Sequence, residues 1–161
     1  NSGVSVKLCS GATAKMLTRD HTIRDPSEKK RMEAAVATGA CAADTRNRRY
    51  PGLFLSRCLG DLWGQTESGL SSVPEFVVYD IEGETLLLLC SDGVWEFISE
   101  QEAMKIVEAE GRDRAQEGVN QLVQNAWDTW IKEEGGCVVD DITVLAVFLH
   151  AAAPSSASQR L

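Results

Sequence analysis

Apolar and polar residues alternate over residues 3–9 (GVSVKLC), and the turn letters SGAT lead into a second short run, TAKML. A period of two broken in this way predicts two short strands joined by a tight turn. From Asp25 the pattern changes: DPSEKKRMEAAVATG offers an N-capping Asp, Pro at the first helical position, an acidic first turn and Gly39 as a stop. It predicts a helix of about 12 residues. Residues 40–51 are polar, carry Arg46, Arg48 and Arg49, and read as a loop, after which GLFLSRCLG resumes an apolar run that reads as a strand ending at Gly60. Between Asp61 and Pro74 the letters LWGQTESGLSSV show no period and predict a surface flap.

FVVYDI and ETLLLLC are apolar runs separated by Glu82-Gly83, a hairpin signal, and the second run leads straight into Ser91-Asp92-Gly93. Ser99 with Glu102 forms a capping box, opening a helix with Ala103, Ile106 and Val107 on one face. Residues 115–131 place Val119, Leu122, Val123, Ala126, Trp127, Trp130 and Ile131 on one helical stripe, so both Trp127 and Trp130 are expected in the core. After the Gly135-Gly136 stop, CVVDDITVLAVFL reads as a final buried strand. Strands, a helix, strands, two helices and a strand make an α+β layered domain, with antiparallel sheets and helices on their outer faces. The small, polar residues 151–161 read as a flexible tail.

Composition narrows the functional classes. Of 161 residues, 43% are hydrophobic and 25% charged, ordinary for one globular core. No run approaches the ~18 consecutive apolar residues of a membrane span, so no membrane partner is expected. The net charge of -8 disfavours nucleic acid and anionic lipid. Five scattered cysteines without a CxxC pair fit neither a disulfide framework nor a zinc knuckle, and they suggest a reducing, cytoplasmic or nuclear compartment. With His21 and His150 the only histidines, a metal would have to be held by carboxylates.

Two acidic sites lie where an apolar strand meets a turn: Asp92 after LLLLCS, and Asp140-Asp141 before ITVLAVFL. A carboxylate against a buried strand needs a cation or hydrogen-bond donors, and hard divalent ions suit oxygen ligands on a rigid sheet edge. The same acids also fit plain turn formers, since Asp favours the position before Gly.

The ordered set LTRDH (17–21), the helix with Glu28 and Arg31, LFLSRCLGD (53–61), VPEF (73–76), LLLLCSDGVWEFIS (86–99) and DDITVLAVFL (140–149) resembles the PPM, or type 2C, family of metal-dependent serine/threonine protein phosphatases. The resemblance implies a β-sandwich of two antiparallel sheets flanked by helices, with a site for two or more Mg²⁺ or Mn²⁺ ions in the cleft. Asp92 and Asp140 match metal ligands of the family, and a metal-activated water would hydrolyse phosphoserine or phosphothreonine in a phosphoprotein substrate. Asp141, Asp61, Arg57, Glu96 and Gly93 match accessory positions around the metals. Trp63 falls in the family's variable flap and His21 in a structural turn.

The family's domain is longer, and its upstream DGHGG motif and arginine-and-acid motif are absent from this chain. Residues 1–150 therefore match the C-terminal portion of a phosphatase domain, and the missing N-terminal half is expected to pack against it; alone, the segment is expected to be marginally stable or oligomeric. The opening NSGVSV resembles the family's N-x-G-D-S-R strand with Val4 in place of Asp and Val6 in place of Arg. That departure leaves open a catalytically impaired, phosphatase-like regulatory or binding module.

Overall fold

Leu86, Leu88 and Cys90 are buried while Leu87 and Leu89 between them are only partly so, and this period of two decides which face of the sheet is covered. They lie on β3 (Glu84–Cys90), a central strand of an antiparallel sheet that also holds β1 (Ser5–Ser10), β2 (Thr13–Met16) and β4 (Val144–His150), in the order β2-β1-β3-β4. The computed structural model describes residues 5–10, 13–37, 55–79 and 84–150. Register sets Leu86 opposite Phe148, Leu88 opposite Ala146 and Cys90 opposite Val144, so the three buried side chains and their partners share one face.

That face is covered by α4 (Glu100–Glu110) and α5 (Ala115–Glu133), whose Ala103, Met104, Val107, Leu122 and Ala126 complete the buried cluster. Ser99 caps α4 by accepting a hydrogen bond from the Glu102 amide, as the capping box predicts, although at 3.3 Å the bond is long. Gly111, at φ 71°, ends the helix. Gly118 lets the two helices approach, since a Cβ there would lie 3.0 Å from the Val107 Cα. Between β3 and α4 the chain turns through α3 (Asp92–Trp95), with Val94 and Ile98 in the core.

The chain divides into two compact units, one of Asn1–Thr18 with Val78–Leu161 and one of Arg19–Val77. The second holds α1 (Pro26–Ala37) and α2 (Leu62–Ser68). Asp25 caps α1, its Oδ1 accepting from the amides of Ser27 at 2.8 Å and Glu28 at 3.2 Å. No helix among the described residues is long and apolar enough to cross a membrane.

Several expectations are corrected. The surface flap expected between Asp61 and Pro74 contains a helix, which Asp61 caps and left-handed Gly69 ends; Leu62 and Trp63 are exposed, while Ser68 and Leu70 are buried. The strand expected in LFLSRCLG is reduced, among the described residues, to isolated bridges pairing Leu55 with Thr22 and Arg57 with Ser71. Residues 76–79 form no strand, and β3 pairs with β1 and β4. Trp127 is half-exposed, because α5 turns only Leu122 and Ala126 fully inward, with Gly118 against α4. The expected turn at Glu82-Gly83, the stop at Gly39, the arginine-bearing loop and the 151–161 tail lie outside the described residues.

Candidate metal centre

In the first unit, strand β3 ends at Cys90 and the next two residues begin α3, which puts Asp92 in the first turn of a helix. Asp140 and Asp141 lie in the segment leading into β4, whose Val144 pairs with Cys90, so the sheet register draws the two acidic sites to one end of neighbouring strands. Asp92 is partly buried and Asp140 exposed. Burial pushes the Asp92 carboxyl above its usual range, and the nearby charge of Asp140 pushes it further the same way. Neither carboxylate is ion-paired among the described residues. Two carboxylates in each other's field, unmatched by a cationic side chain among the described residues, form a hard-oxygen donor set of the kind that fits a divalent cation.

The backbone around these acids is tightly tied. The Ser91 hydroxyl donates to the Asp141 carbonyl at 2.7 Å and accepts from the Thr143 amide at 2.9 Å, while the Ser91 amide donates to the Thr143 carbonyl at 3.0 Å. Ser91 holds the N-cap position of α3, yet its hydroxyl serves the neighbouring segment instead of the helix. Gly93 packs where a Cβ would lie 2.5 Å from the Asp141 carbonyl oxygen, so only glycine fits. The Trp130 indole N–H donates to the Gly93 carbonyl at 2.7 Å, with its ring edge-to-face on Phe97 at 4.7 Å. Trp95 donates to the Cys90 carbonyl at 3.0 Å. Asp140 accepts the Asp141 amide through Oδ1 at 2.8 Å, and Glu96 is exposed at the end of α3.

Arg57 and Asp61 belong to the second unit. Buried Glu28 accepts from Arg57 Nε at 3.0 Å, Ser56 Oγ at 2.8 Å and Arg31 Nη2 at 3.0 Å. Burial alone would raise the Glu28 carboxyl, but those hydrogen bonds hold it down to about 2. Glu75 is bridged by Arg19 and Arg57, and its carboxyl is likewise lowered to about 2, chiefly by Arg19 and then by His21, whose Nε2 lies 3.0 Å from it. Ligating atoms of His21, Glu28 and Glu75 lie within 4.8 Å of one another, as a metal site would require. Both Glu28 oxygens are already held by arginines, and a divalent cation would have to displace guanidinium charge. The cluster is an ion-pair network that joins residues 19–31, 56–57 and 73–75 of this unit. Asp61, at φ 44°, caps α2 through the Gly64 amide at 3.0 Å.

Sequence reasoning singled out the acids but missed Ser91 and Trp130 as the residues that tie their backbones, and Glu75 as the hub of the second unit. The available signal for Ser91 was a small hydroxyl residue at the junction of a buried strand and an Asp-Gly turn.

The family model for protein phosphatase 2C matches residues 4–133. The chain belongs to the protein phosphatase 2C family. Among curated relatives, probable protein phosphatase 2C 73 of Arabidopsis thaliana is 34% identical over 156 residues, covering 91% of this chain and 41% of the relative. Probable protein phosphatase 2C 34 of Arabidopsis thaliana is 38% identical over 106 residues, covering 65% of this chain and 29% of the relative. The chain thus spans less than half the length of these type 2C relatives. A serine-threonine phosphatase 2C structure from Toxoplasma gondii matches with a TM-score of 0.67 at 21% identity, covering 92% of this chain and 52% of that one. A C. elegans sex determining protein matches at 0.60 and 23%, covering 91% and 35%. These two likenesses establish the shared α+β fold.

Proposed function

We propose that the protein to which this chain belongs is a divalent-metal-dependent protein serine/threonine phosphatase of the 2C type, and that residues 1–150 are the C-terminal portion of its catalytic domain. The observation that carries the reading is the convergence of Asp92 and Asp140, just beyond the paired ends of β3 and β4, with no cationic side chain among the described residues paired to either. Family membership supports it, as do relatives named as protein phosphatases and more than twice as long. The sheet supports the domain assignment: Leu89 faces Leu145 and Leu87 faces Val147 on the side away from α4 and α5, and Leu145 is half-exposed. A second antiparallel sheet, completed by the missing N-terminal half, would cover that apolar side and make the two-sheet sandwich.

In this reading Asp92 and Asp140 hold Mg²⁺ or Mn²⁺ through carboxylate oxygens. When bound, such ions lower the pKa of a water toward neutrality and neutralise charge on the transferring phosphoryl oxygens. The chain's own part is positional. Asp141 and Gly93 supply the close backbone contact between the two acid-bearing segments, Glu96, exposed at the end of the helix that Asp92 begins, is the accessory carboxylate, and Arg57 and Asp61 shape the second unit. The substrate is a phosphoprotein, and cytoplasmic or nuclear placement follows from the scattered cysteines.

Phosphate release from a phosphothreonine peptide by the full-length protein, with Mn²⁺ and with chelator, tests the reading. Metal-dependent turnover abolished by Asp92→Asn or Asp140→Asn is expected, and wild-type rates in both variants would overturn the ligand assignment. Val4 and Val6, where the family resemblance has Asp and Arg, favour a second reading, an impaired phosphatase-like module. Metal-independent silence of the folded full-length protein would support it.

A further inference from the structure

We propose that Ser91 is a positioning residue whose hydroxyl bolts the 140–143 segment to the start of α3 and so sets the spacing of the Asp92 and Asp140 carboxylates for a divalent cation. The inference rests on the metal reading above and assigns the spacing to a group that ligates nothing. Ser91 is buried, at 3% exposure, and its hydroxyl bonds twice to the neighbouring segment: it donates to the Asp141 carbonyl at 2.7 Å and accepts from the Thr143 amide at 2.9 Å. With the backbone bond from the Ser91 amide to the Thr143 carbonyl at 3.0 Å, three hydrogen bonds cross between the segments next to the acids.

The position of the bolt matters. Asp92 directly follows Ser91, and Asp140 directly precedes the residue whose carbonyl the hydroxyl holds. β3 and β4 are already paired as far as Cys90 with Val144, but beyond that point the chains diverge into α3 on one side and irregular backbone on the other. One backbone bond, from the Ser91 amide to the Thr143 carbonyl, continues past that pair, and the Ser91 hydroxyl adds the only side-chain bonds among the described residues that reach Asp141 and Thr143 from the α3 side. Gly93 packs close against the same carbonyl group of Asp141, where a Cβ would lie 2.5 Å from its oxygen, which further restricts the 140–143 segment. Carboxylates preorganised at a fixed spacing bind a cation more tightly than the same acids on a loose segment, because ordering the segment no longer opposes binding.

The experiment is Mn²⁺ binding to the metal-free full-length protein by calorimetry, with folding monitored by thermal melting. Ser91→Ala is expected to weaken Mn²⁺ at least tenfold. Ser91→Thr, which keeps the hydroxyl, should recover affinity to within about threefold of wild type. Leu122→Ala, a core truncation remote from the acids, should leave Mn²⁺ affinity within twofold although it lowers the melting temperature, which separates positioning from general destabilisation. Should the alanine variant not fold, Ser91→Cys is nearly isosteric with weaker hydrogen bonds and should show an intermediate loss. Ser91→Ala or Ser91→Cys within twofold of wild type, while Asp92→Asn loses binding, would overturn the bolt alone. Undiminished binding by both Asp92→Asn and Asp140→Asn would overturn the metal reading and the bolt with it.

Discussion

The Trp130 indole N–H donates to the Gly93 carbonyl oxygen at 2.7 Å, which ties the C-terminal half of α5 to the turn that carries Asp92. Helix α5 therefore does more than cover the sheet: it holds the backbone beside a candidate ligand. Trp130→Phe keeps the aromatic contact with Phe97 but removes the donor. It is expected to cost about 1 kcal/mol, the usual worth of such a bond, and to lower turnover of the full-length protein more than it lowers the midpoint of urea unfolding would suggest. Kinetics and a denaturation curve on the same preparation check this.

Gly93→Ala should be far more damaging than an ordinary glycine substitution. The added methyl would meet the Asp141 carbonyl oxygen at 2.5 Å and its carbon at 3.0 Å, and backbone cannot step aside as a flexible side chain can. A loss of at least about 2 kcal/mol is expected, together with loss of metal-dependent activity; a variant with wild-type melting and rate would show that the 140–143 segment is free to move.

At Gly118 propensity and packing oppose each other. Alanine gains about 1 kcal/mol of intrinsic helix preference in an exposed helix, but here its Cβ would lie 3.0 Å from the Val107 Cα and 3.1 Å from its carbonyl oxygen. Net destabilisation is expected, read as a lower unfolding midpoint; a raised midpoint would mean that α4 and α5 separate readily.

The Glu28 and Glu75 carboxyls, each held near 2 against an ordinary value of 4.5, make the second unit acid-labile. Because their folded pKa values are depressed, the stability they supply is present above about pH 4.5 and is lost as pH falls from there toward 2. Glu28→Gln should flatten that part of the stability-pH curve. Glu28→Ala should destabilise at neutral pH by about 3 kcal/mol, since it leaves Arg57 and Arg31 without their buried partner. Melting curves from pH 3 to 7 test both.

Asp61→Asn should be nearly neutral and Asp61→Ala should cost about 1 to 2 kcal/mol. Asn keeps a capping oxygen for the Gly64 amide and tolerates φ 44°, whereas alanine loses the cap and strains the backbone. Thermal melting of the pair gives the comparison.

The elements with strong local signals were legible in the chain itself. Asp25-Pro26 announced α1, Ser99 with Glu102 announced α4, and the 3.6-residue stripe through Leu122 and Ala126 announced α5, because caps and helical period act within a few residues of one another. The acids at strand ends were legible for the same reason, since a charge beside LLLLC or ITVLAV breaks an apolar pattern. Helix α2 was hidden because it depends on Asp61 adopting a left-handed backbone, which no short-range pattern of WGQTES reveals. The pairing of β3 with β4 in place of the FVVYDI run was hidden because strand partners are chosen over long separations, by which faces can be buried together. Trp127 illustrates the same limit, as the stripe that placed it inward is wider than the sheet and helix available to cover it. Which residues carry chemistry could be read from their type and setting, but that Ser91, Gly93 and Trp130 lock the backbones of the acids was decided only by tertiary structure, because hydrogen bonds spanning 37 to 52 residues are formed by the fold and leave no periodic trace in the chain.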